Sequence, residues 1–194
     1  MSVNADIILA SASPRRGELL QQIGVRYLAW PVVIDETVRP DERPGDYVCR
    51  VAAEKSAAAR CQSMTHLPVL GADTVVVLGN SIMGKPENRD AAVMMLLRLS
   101  GITHQVFSAV SLRGEVNQQI LSVTQVSFRA LTEQEALNYW TTGEPVDKAG
   151  GYAIQGLGSV FVKSIRGSYS GVVGLPVYET AKLLAKEGIN IFHE

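Results

Sequence analysis

The residues best able to do chemistry begin where the apolar run Ile7-Ile8-Leu9 breaks off into Ala10-Ser11-Ala12-Ser13-Pro14-Arg15-Arg16. Ser13 suits a helix N-cap and Pro14 the first helical position, where a missing N–H costs nothing. Free backbone N–H groups at that helix start, beside the guanidinium groups of Arg15 and Arg16, would form an anion site suited to phosphate. The alternative is an ordinary capped helix with solvated arginines. Asp73 is the second candidate, set in Gly71-Ala72-Asp73-Thr74 within an otherwise apolar strand. A carboxylate is depleted in strands and costly to bury as an anion. Its place among small residues points to a metal, a water or a phosphate coming close, or to a structural carboxylate bonded to backbone amides. Lys55 lies one helical turn beyond Val51 on the same face, where it either serves a site or snorkels to solvent. Asp35 and Glu36 open a charged loop. The glycines of Asp147-Lys148-Ala149-Gly150-Gly151-Tyr152-Ala153-Ile154-Gln155-Gly156 exceed what packing needs and suit close approach of a ligand or another backbone.

These residues need elements to hold them. The first helix runs on through Glu18, Leu19, Leu20 and Ile23 to a stop at Gly24, and residues 25–33 read as a strand interrupted by Pro31. A helix over about residues 45–62 carries Lys55. Residues 67–78, with Val69, Leu70, Val75, Val76, Val77 and Leu78, suit a central strand covered on both faces. A turn at Gly79-Asn80-Ser81 leads to the short strand Ile82-Met83, which Gly84-Lys85-Pro86 ends. Asn88 caps a helix through Leu99, closed by Gly101. A hairpin follows over residues 105–112 and 116–128. Thr132-Glu133-Gln134-Glu135 has capping-box spacing and opens a helix to about Thr142. Residues 159–165 read as a strand, 167–171 as a loop, and 177–186 as a C-terminal helix stopped by Gly188. Alternating strands and helices with a central hairpin describe a mixed α/β fold with a long twisted sheet.

Composition narrows the function classes. With 46% hydrophobic and 19% charged residues over 194 positions, the chain suits one soluble globular domain spanning residues 1–194. A net charge of −1 leaves no global basic field for nucleic acid or a membrane surface, so any anion site is local. No apolar run reaches the roughly 20 residues of a membrane span, and no signal peptide is visible. Cys49 and Cys61 fall on one helix about 18 Å apart and cannot bridge within it. A reducing, cytoplasmic setting is therefore expected, and the Cys and His spacing does not suit zinc. Gly84-Lys85 lacks both the upstream glycine and the following hydroxyl residue of a P-loop. Gly156 and Gly158 lack the third glycine of a dinucleotide fingerprint, since position 161 is Phe.

Taken together the segments resemble the Maf family of nucleoside triphosphate pyrophosphatases. The resemblance rests on Ser11 to Arg16, Asp35-Glu36-Thr37, Glu54-Lys55, Gly71-Ala72-Asp73-Thr74, Gly84-Lys85-Pro86 and Ser100-Gly101 with His104. It continues through Asp147-Lys148-Ala149-Gly150, Ile154-Gln155-Gly156, and Gly167-Ser168-Tyr169 to Val173-Gly174-Leu175-Pro176, in order across almost the whole chain. It implies an elongated α/β fold like that of inosine triphosphate pyrophosphatases, with two lobes flanking a cleft, and a homodimer. It also implies hydrolysis of a nucleoside triphosphate to monophosphate and pyrophosphate with a divalent metal, Mg²⁺, Mn²⁺ or Co²⁺. On that reading Ser13, Arg15, Arg16, Lys55 and Lys85 hold the polyphosphate and neutralise developing charge. Asp73 is the general base toward water, and Glu36 and Asp73 are the hard oxygen donors for the metal.

Arg15, Thr74 and Gln155 are similar to the branch acting on dTTP and UTP, whereas relatives acting on 7-methyl-GTP carry Trp, Gln and Glu there. The Gln155 amide offers a donor to a ring carbonyl and an acceptor to the N3 hydrogen of a uracil ring. The rival readings are a pyrophosphatase for a purine or modified nucleotide and a non-enzymatic regulator of cell division. The intact set of Asp73, Lys55, Lys85 and Arg15 argues against the regulator.

Overall fold

The computed structural model describes residues 5–192. Strand β1 (Ile7–Leu9) leads through the Ser11–Ser13 turn into helix α1 (Pro14–Gln22), and β2 (Tyr27–Ala29) follows. Helix α2 (Pro44–Gln62) precedes the central strand β3 (Val69–Leu78), the short β4 (Ser81–Met83) and helix α3 (Arg89–Leu99). The hairpin β5 (Thr103–Arg113) and β6 (Asn117–Phe128), helix α4 (Glu133–Thr141), strand β7 (Val162–Arg166) and helices α5 (Tyr169–Val173) and α6 (Val177–Lys186) complete the order. Two 3₁₀ turns, Ala149–Gly151 and Leu157–Phe161, lie between α4 and β7.

The seven strands form one mixed sheet ordered β2-β1-β3-β5-β6-β7, with β4 on the other side of β3's far end. The pairs β1–β2 and β1–β3 are parallel and the rest antiparallel. Side-chain alternation along β3 divides its residues between two cores. Val75 and Val77 pack with Tyr47, Val48, Val51 and Ala52 of α2 and with Ala109. Ala72 and Val76 join the larger cluster that includes Leu20, Leu96, Leu99, Leu112, Phe128 and Leu184. Helix α2 can lie this close to β3 because Gly71 has no side chain: a Cβ there would overlap the Ala52 carbonyl and come 2.7 Å from the Ser56 nitrogen.

Several expected elements change their bounds. The strand read over residues 25–33 shrinks to Tyr27–Ala29. Trp30 N–H still donates to Leu9 O, and then Pro31, with no N–H, ends the pairing. The strand read over 159–165 begins instead as the 3₁₀ turn Leu157–Phe161. The loop read at 167–171 starts helix α5, because the Ser168 hydroxyl accepts from Gly171 N–H and caps it. The capping box of Thr132 and Glu135 and the Asn88 cap form as the spacing predicts. No helix among the described residues is long and apolar enough to cross a membrane.

Candidate active site

The site is built around an interruption in the sheet. On one edge β3 pairs with β5 continuously from Val69 to Val77. On the other, β1 covers only Val69 and Leu70, and β4 covers only Val76 to Leu78. Residues 71–75 have no strand partner on that side among the described residues. Asp73 stands at the middle of this opening, directly beyond the carboxyl end of β1, where parallel strands commonly receive ligands. Side chains from both faces of the sheet reach the gap. A cavity of about 870 Å³ fills it, lined by all nine residues singled out from sequence: Ser13, Arg15, Arg16, Glu36, Lys55, Asp73, Thr74, Lys85 and Gln155.

On the α2 face, Lys55 is the hub. Its Nζ lies 2.9 Å from Asp73 Oδ1 and 2.9 Å from Glu36 Oε1. Lys55 and Asp73 are buried, while the Glu36 side chain is 52% exposed and opens to the cleft. Asp73 Oδ2 has no protein partner among the described residues, so one oxygen is fixed by Lys55 and the other faces the cavity. Tyr47 donates its hydroxyl to Glu36 O and lines the same space; burial, then the charges of Asp73 and Glu36, push its phenol up to about 12. Farther out, Arg50 ties the Glu36 loop to α2. Its guanidinium holds Glu42 and Glu54 and donates to Thr37 O. The Arg50 hydrogen bond keeps the Glu42 carboxyl down at about 2.

The cationic wall comes from three separate segments. Ser13 occupies the N-cap position of α1 with extended backbone, but its hydroxyl makes no cap bond. Ser11 organises the turn instead, its Oγ accepting from Ser13 N–H at 3.2 Å and Arg16 Nη1 at 2.9 Å. The first N–H groups of α1 are thus left without a side-chain cap, as an anion site requires. Arg16 is 9% exposed and donates Nε to Gly174 O at 2.9 Å, so it braces the turn against the α5 end while still lining the cavity. Burial lowers its pKa, and Asp73 works in the opposite direction. Arg15 and Lys85 face the cleft more openly. Lys148 lines the same cleft; burial and then Arg15 lower its pKa, Asp147 and Glu144 oppose them, and Lys85 adds a smaller push downward.

Thr74 and Gln155 line the same cleft, with Thr74 Oγ1 3.4 Å from the Gly174 carbonyl oxygen that Arg16 holds. The Ser108 hydroxyl donates to Gly171 O at 2.6 Å, which leaves its oxygen to accept from Thr74 Oγ1 at 2.8 Å. The Thr74 hydroxyl therefore anchors the floor of the cleft to α5, besides lining it. Gln155 is exposed on the turn before Leu157–Phe161, and its amide has no protein partner among the described residues. Sequence reasoning quoted Ser11 and Lys148 within its motifs without giving either a role, and it left out Tyr47 and Glu144, which accepts from Tyr139 and from the Leu157 and Gly158 N–H groups after Gln155. Lys148 had a signal, since it sits in the glycine-rich run; the others look like ordinary polar residues until the chain folds.

Glu36 and Asp73 already hold one cation between them, and Mg²⁺ or a similar ion commonly takes one or two carboxylates and fills its shell with water and phosphate oxygens. The donor set therefore fits a divalent ion that arrives with a polyphosphate. Among the described residues there is no cluster of three or more carboxylate, His or Cys ligands that could hold one alone.

Residues 6–187 match the family described as Maf-like protein. The chain belongs to that family. A Pseudoalteromonas atlantica protein is 52% identical over 192 residues, covering 97% of this chain and 99% of its own. A Saccharophagus degradans protein is 51% identical over 185 residues, 93% of this chain and 88% of its own. One from Pasteurella multocida is 50% identical over 193 residues, 95% and 96% respectively. All three are named dTTP/UTP pyrophosphatase. Among solved structures, the Staphylococcus aureus Ham1 protein is similar over 63% of this Maf-like chain and 71% of its own, at TM-score 0.45 and 15% identity.

Proposed function

We propose that this Maf-like protein hydrolyses dTTP and UTP to the nucleoside monophosphate and pyrophosphate, with water attacking the α-phosphorus. The observation that carries the reading is the arrangement of Asp73: one oxygen is held by Lys55, and the other faces a cleft that Arg15, Lys85, Lys148 and the unpartnered Gln155 amide also line. Relatives about 50% identical over nearly the whole chain, named for that activity, support it.

The chemistry follows from the residues. Arg15, Lys85 and Lys148, with the N-terminus of α1, bind the β- and γ-phosphates and stabilise pyrophosphate as it leaves. Asp73 Oδ2 takes the proton of the attacking water, and Lys55 fixes that carboxylate's direction. Glu36 and Asp73 would hold a divalent ion that supplies charge neutralisation at the phosphate oxygens. Gln155 reads the pyrimidine edge through one donor and one acceptor. The test is hydrolysis of UTP in ¹⁸O-labelled water with Mg²⁺, Mn²⁺ or Co²⁺. Label in the monophosphate is expected; label in pyrophosphate, or diphosphate as first product, overturns the assignment.

A further inference from the structure

We infer that Glu144 and Tyr139, which lie outside the cleft lining, form a positioning pair that sets the base-reading loop. Three donors converge on the Glu144 carboxylate: Tyr139 Oη at 2.6 Å, Gly158 N–H at 2.9 Å and Leu157 N–H at 2.9 Å. Tyr139 Oη in turn accepts from Ala153 N–H at 3.0 Å. The loop carrying Gln155 is therefore fastened on both sides, at Ala153 before it and at Leu157 and Gly158 after it. Gly156 lets the backbone lie flat on the carboxylate, since a Cβ there would overlap Glu144 Oε2. Gly158 is equally confined, with Tyr139 Oη 2.6 Å from where its Cβ would stand.

The chemistry of the pair explains why these two residue types are needed. Only an ionised carboxylate offers enough acceptor sites for three donors; a glutamine has one carbonyl oxygen and would turn an N–H₂ toward a backbone N–H. The tyrosine passes the fastening on, donating to Glu144 while accepting from Ala153. Partial burial acts to raise the Glu144 carboxyl, yet the hydrogen bonds from Tyr139, Gly158 and Leu157 hold it below its ordinary value, so it is ionised at neutral pH. Burial pushes the Tyr139 phenol up, with the Glu144 hydrogen bond acting in the same direction, which keeps its donor proton in place. The turn is pinned from within by the buried Ile154 side chain and the Gly156 N–H to Ala153 O bond, and the pair adds the bonds that tie both of its ends to α4 and the chain just after it.

The inference rests on Gln155 as the base-reading group. The experiment measures kcat and KM for UTP and GTP in wild type, Gln155→Ala, Glu144→Gln, Tyr139→Phe and the Glu144→Gln/Gln155→Ala double variant. Misplacing the reading amide by about an ångström costs about tenfold to a hundredfold. Glu144→Gln should lower the UTP-to-GTP ratio of kcat/KM by that order, chiefly through KM for UTP. It should add little in the Gln155→Ala background. Tyr139→Phe, which removes only a hydroxyl, should move the ratio the same way and decides the matter if Glu144→Gln does not fold. If Gln155→Ala shifts the ratio and neither Glu144→Gln nor Tyr139→Phe does, the pair does not position the loop, while base reading by Gln155 stands. An unchanged ratio in Gln155→Ala removes base reading and the positioning role together.

Discussion

Asp73→Asn exchanges one atom at the centre of the sheet opening, and the structure separates its effect on folding from its effect on rate. Asp73 Oδ1 accepts from Lys55 at 2.9 Å, and Lys55 also holds Glu36 at 2.9 Å. Asparagine keeps an oxygen for Lys55, and Glu36 still balances the ammonium charge. The loss is thus confined to weakening one charge-assisted bond, about 1–2 kcal/mol. For a chain of this length that lowers Tm by about 2–8 °C. With its oxygen turned to Lys55, the amide places an N–H₂ where Asp73 Oδ2 now faces the cavity. That group donates and cannot take a proton from water, so kcat should fall about 10²–10⁴-fold. Pyrophosphate release from UTP, measured well below both unfolding midpoints, gives the rate, and thermal unfolding by circular dichroism gives the stability. A folded variant within tenfold of the wild-type kcat would refute the role of Asp73 as base.

Gln155→Glu removes the amide donor that the proposed function assigns to a ring carbonyl; at a cost of about 1–3 kcal/mol, kcat/KM for UTP should fall roughly 5- to 150-fold. The loss should be smaller for a 7-methylated guanine nucleotide, and equal losses on both substrates would show that Gln155 does not read the base. His104 is 1% exposed, between Phe128 and Tyr152, and burial brings its imidazole from 6.5 down to about 4. The unfolded chain therefore binds this proton first as pH falls, so the contribution of His104 to stability is complete above about pH 6.5 and disappears toward about pH 4. Urea unfolding should show about 2 kcal/mol lost between pH 7.5 and 5, a slope that His104→Phe flattens; an unchanged slope would exclude His104 as its source. Gly71→Ala drives a methyl into the Ala52 carbonyl. It should cost about 1–3 kcal/mol and lower kcat by displacing α2, and with it Lys55. A variant as stable and active as wild type would show that the contact yields freely.

The parts of the site that depend on local residue type were legible in the sequence. Asp73 could be singled out because it breaks an apolar strand, and the turn from Ser11 to Arg16 because strand end, proline and paired arginines fall together. What the sequence hides is the choice between near-equivalent groups. Ser13 has N-cap spacing, yet Ser11 Oγ, two residues earlier, receives both Ser13 N–H and Arg16 Nη1. The turn's curvature decides which hydroxyl is in reach, and periodicity carries no such information. Arg15 and Arg16 are likewise adjacent and identical in type, but only the latter is drawn in to Gly174 O. That partner is 158 residues away in the chain. The strand over residues 25–33 was overextended for a related reason: apolar residues persist past Ala29, whereas pairing stops where Pro31 removes a donor.

The opening itself is the least legible feature, because it is an absence produced by three lengths. Strand β1 stops after Leu9, β4 begins only opposite Leu78 and ends at Met83, and β3 is ten residues long. No single segment encodes the gap; it is what remains of β3's edge once both short neighbours are placed. Its consequence is that alternate residues, which in a closed sheet would serve separate faces, share one cavity. Asp73 points with Val75 toward α2, and Thr74 points toward α5, yet both line the cleft. A continuous strand at that edge would have confined the carboxylate and Lys55 to one side of the sheet and Thr74 to the other. The short β1 thus does more than start the fold, since its early end lets chemistry and floor meet across the sheet.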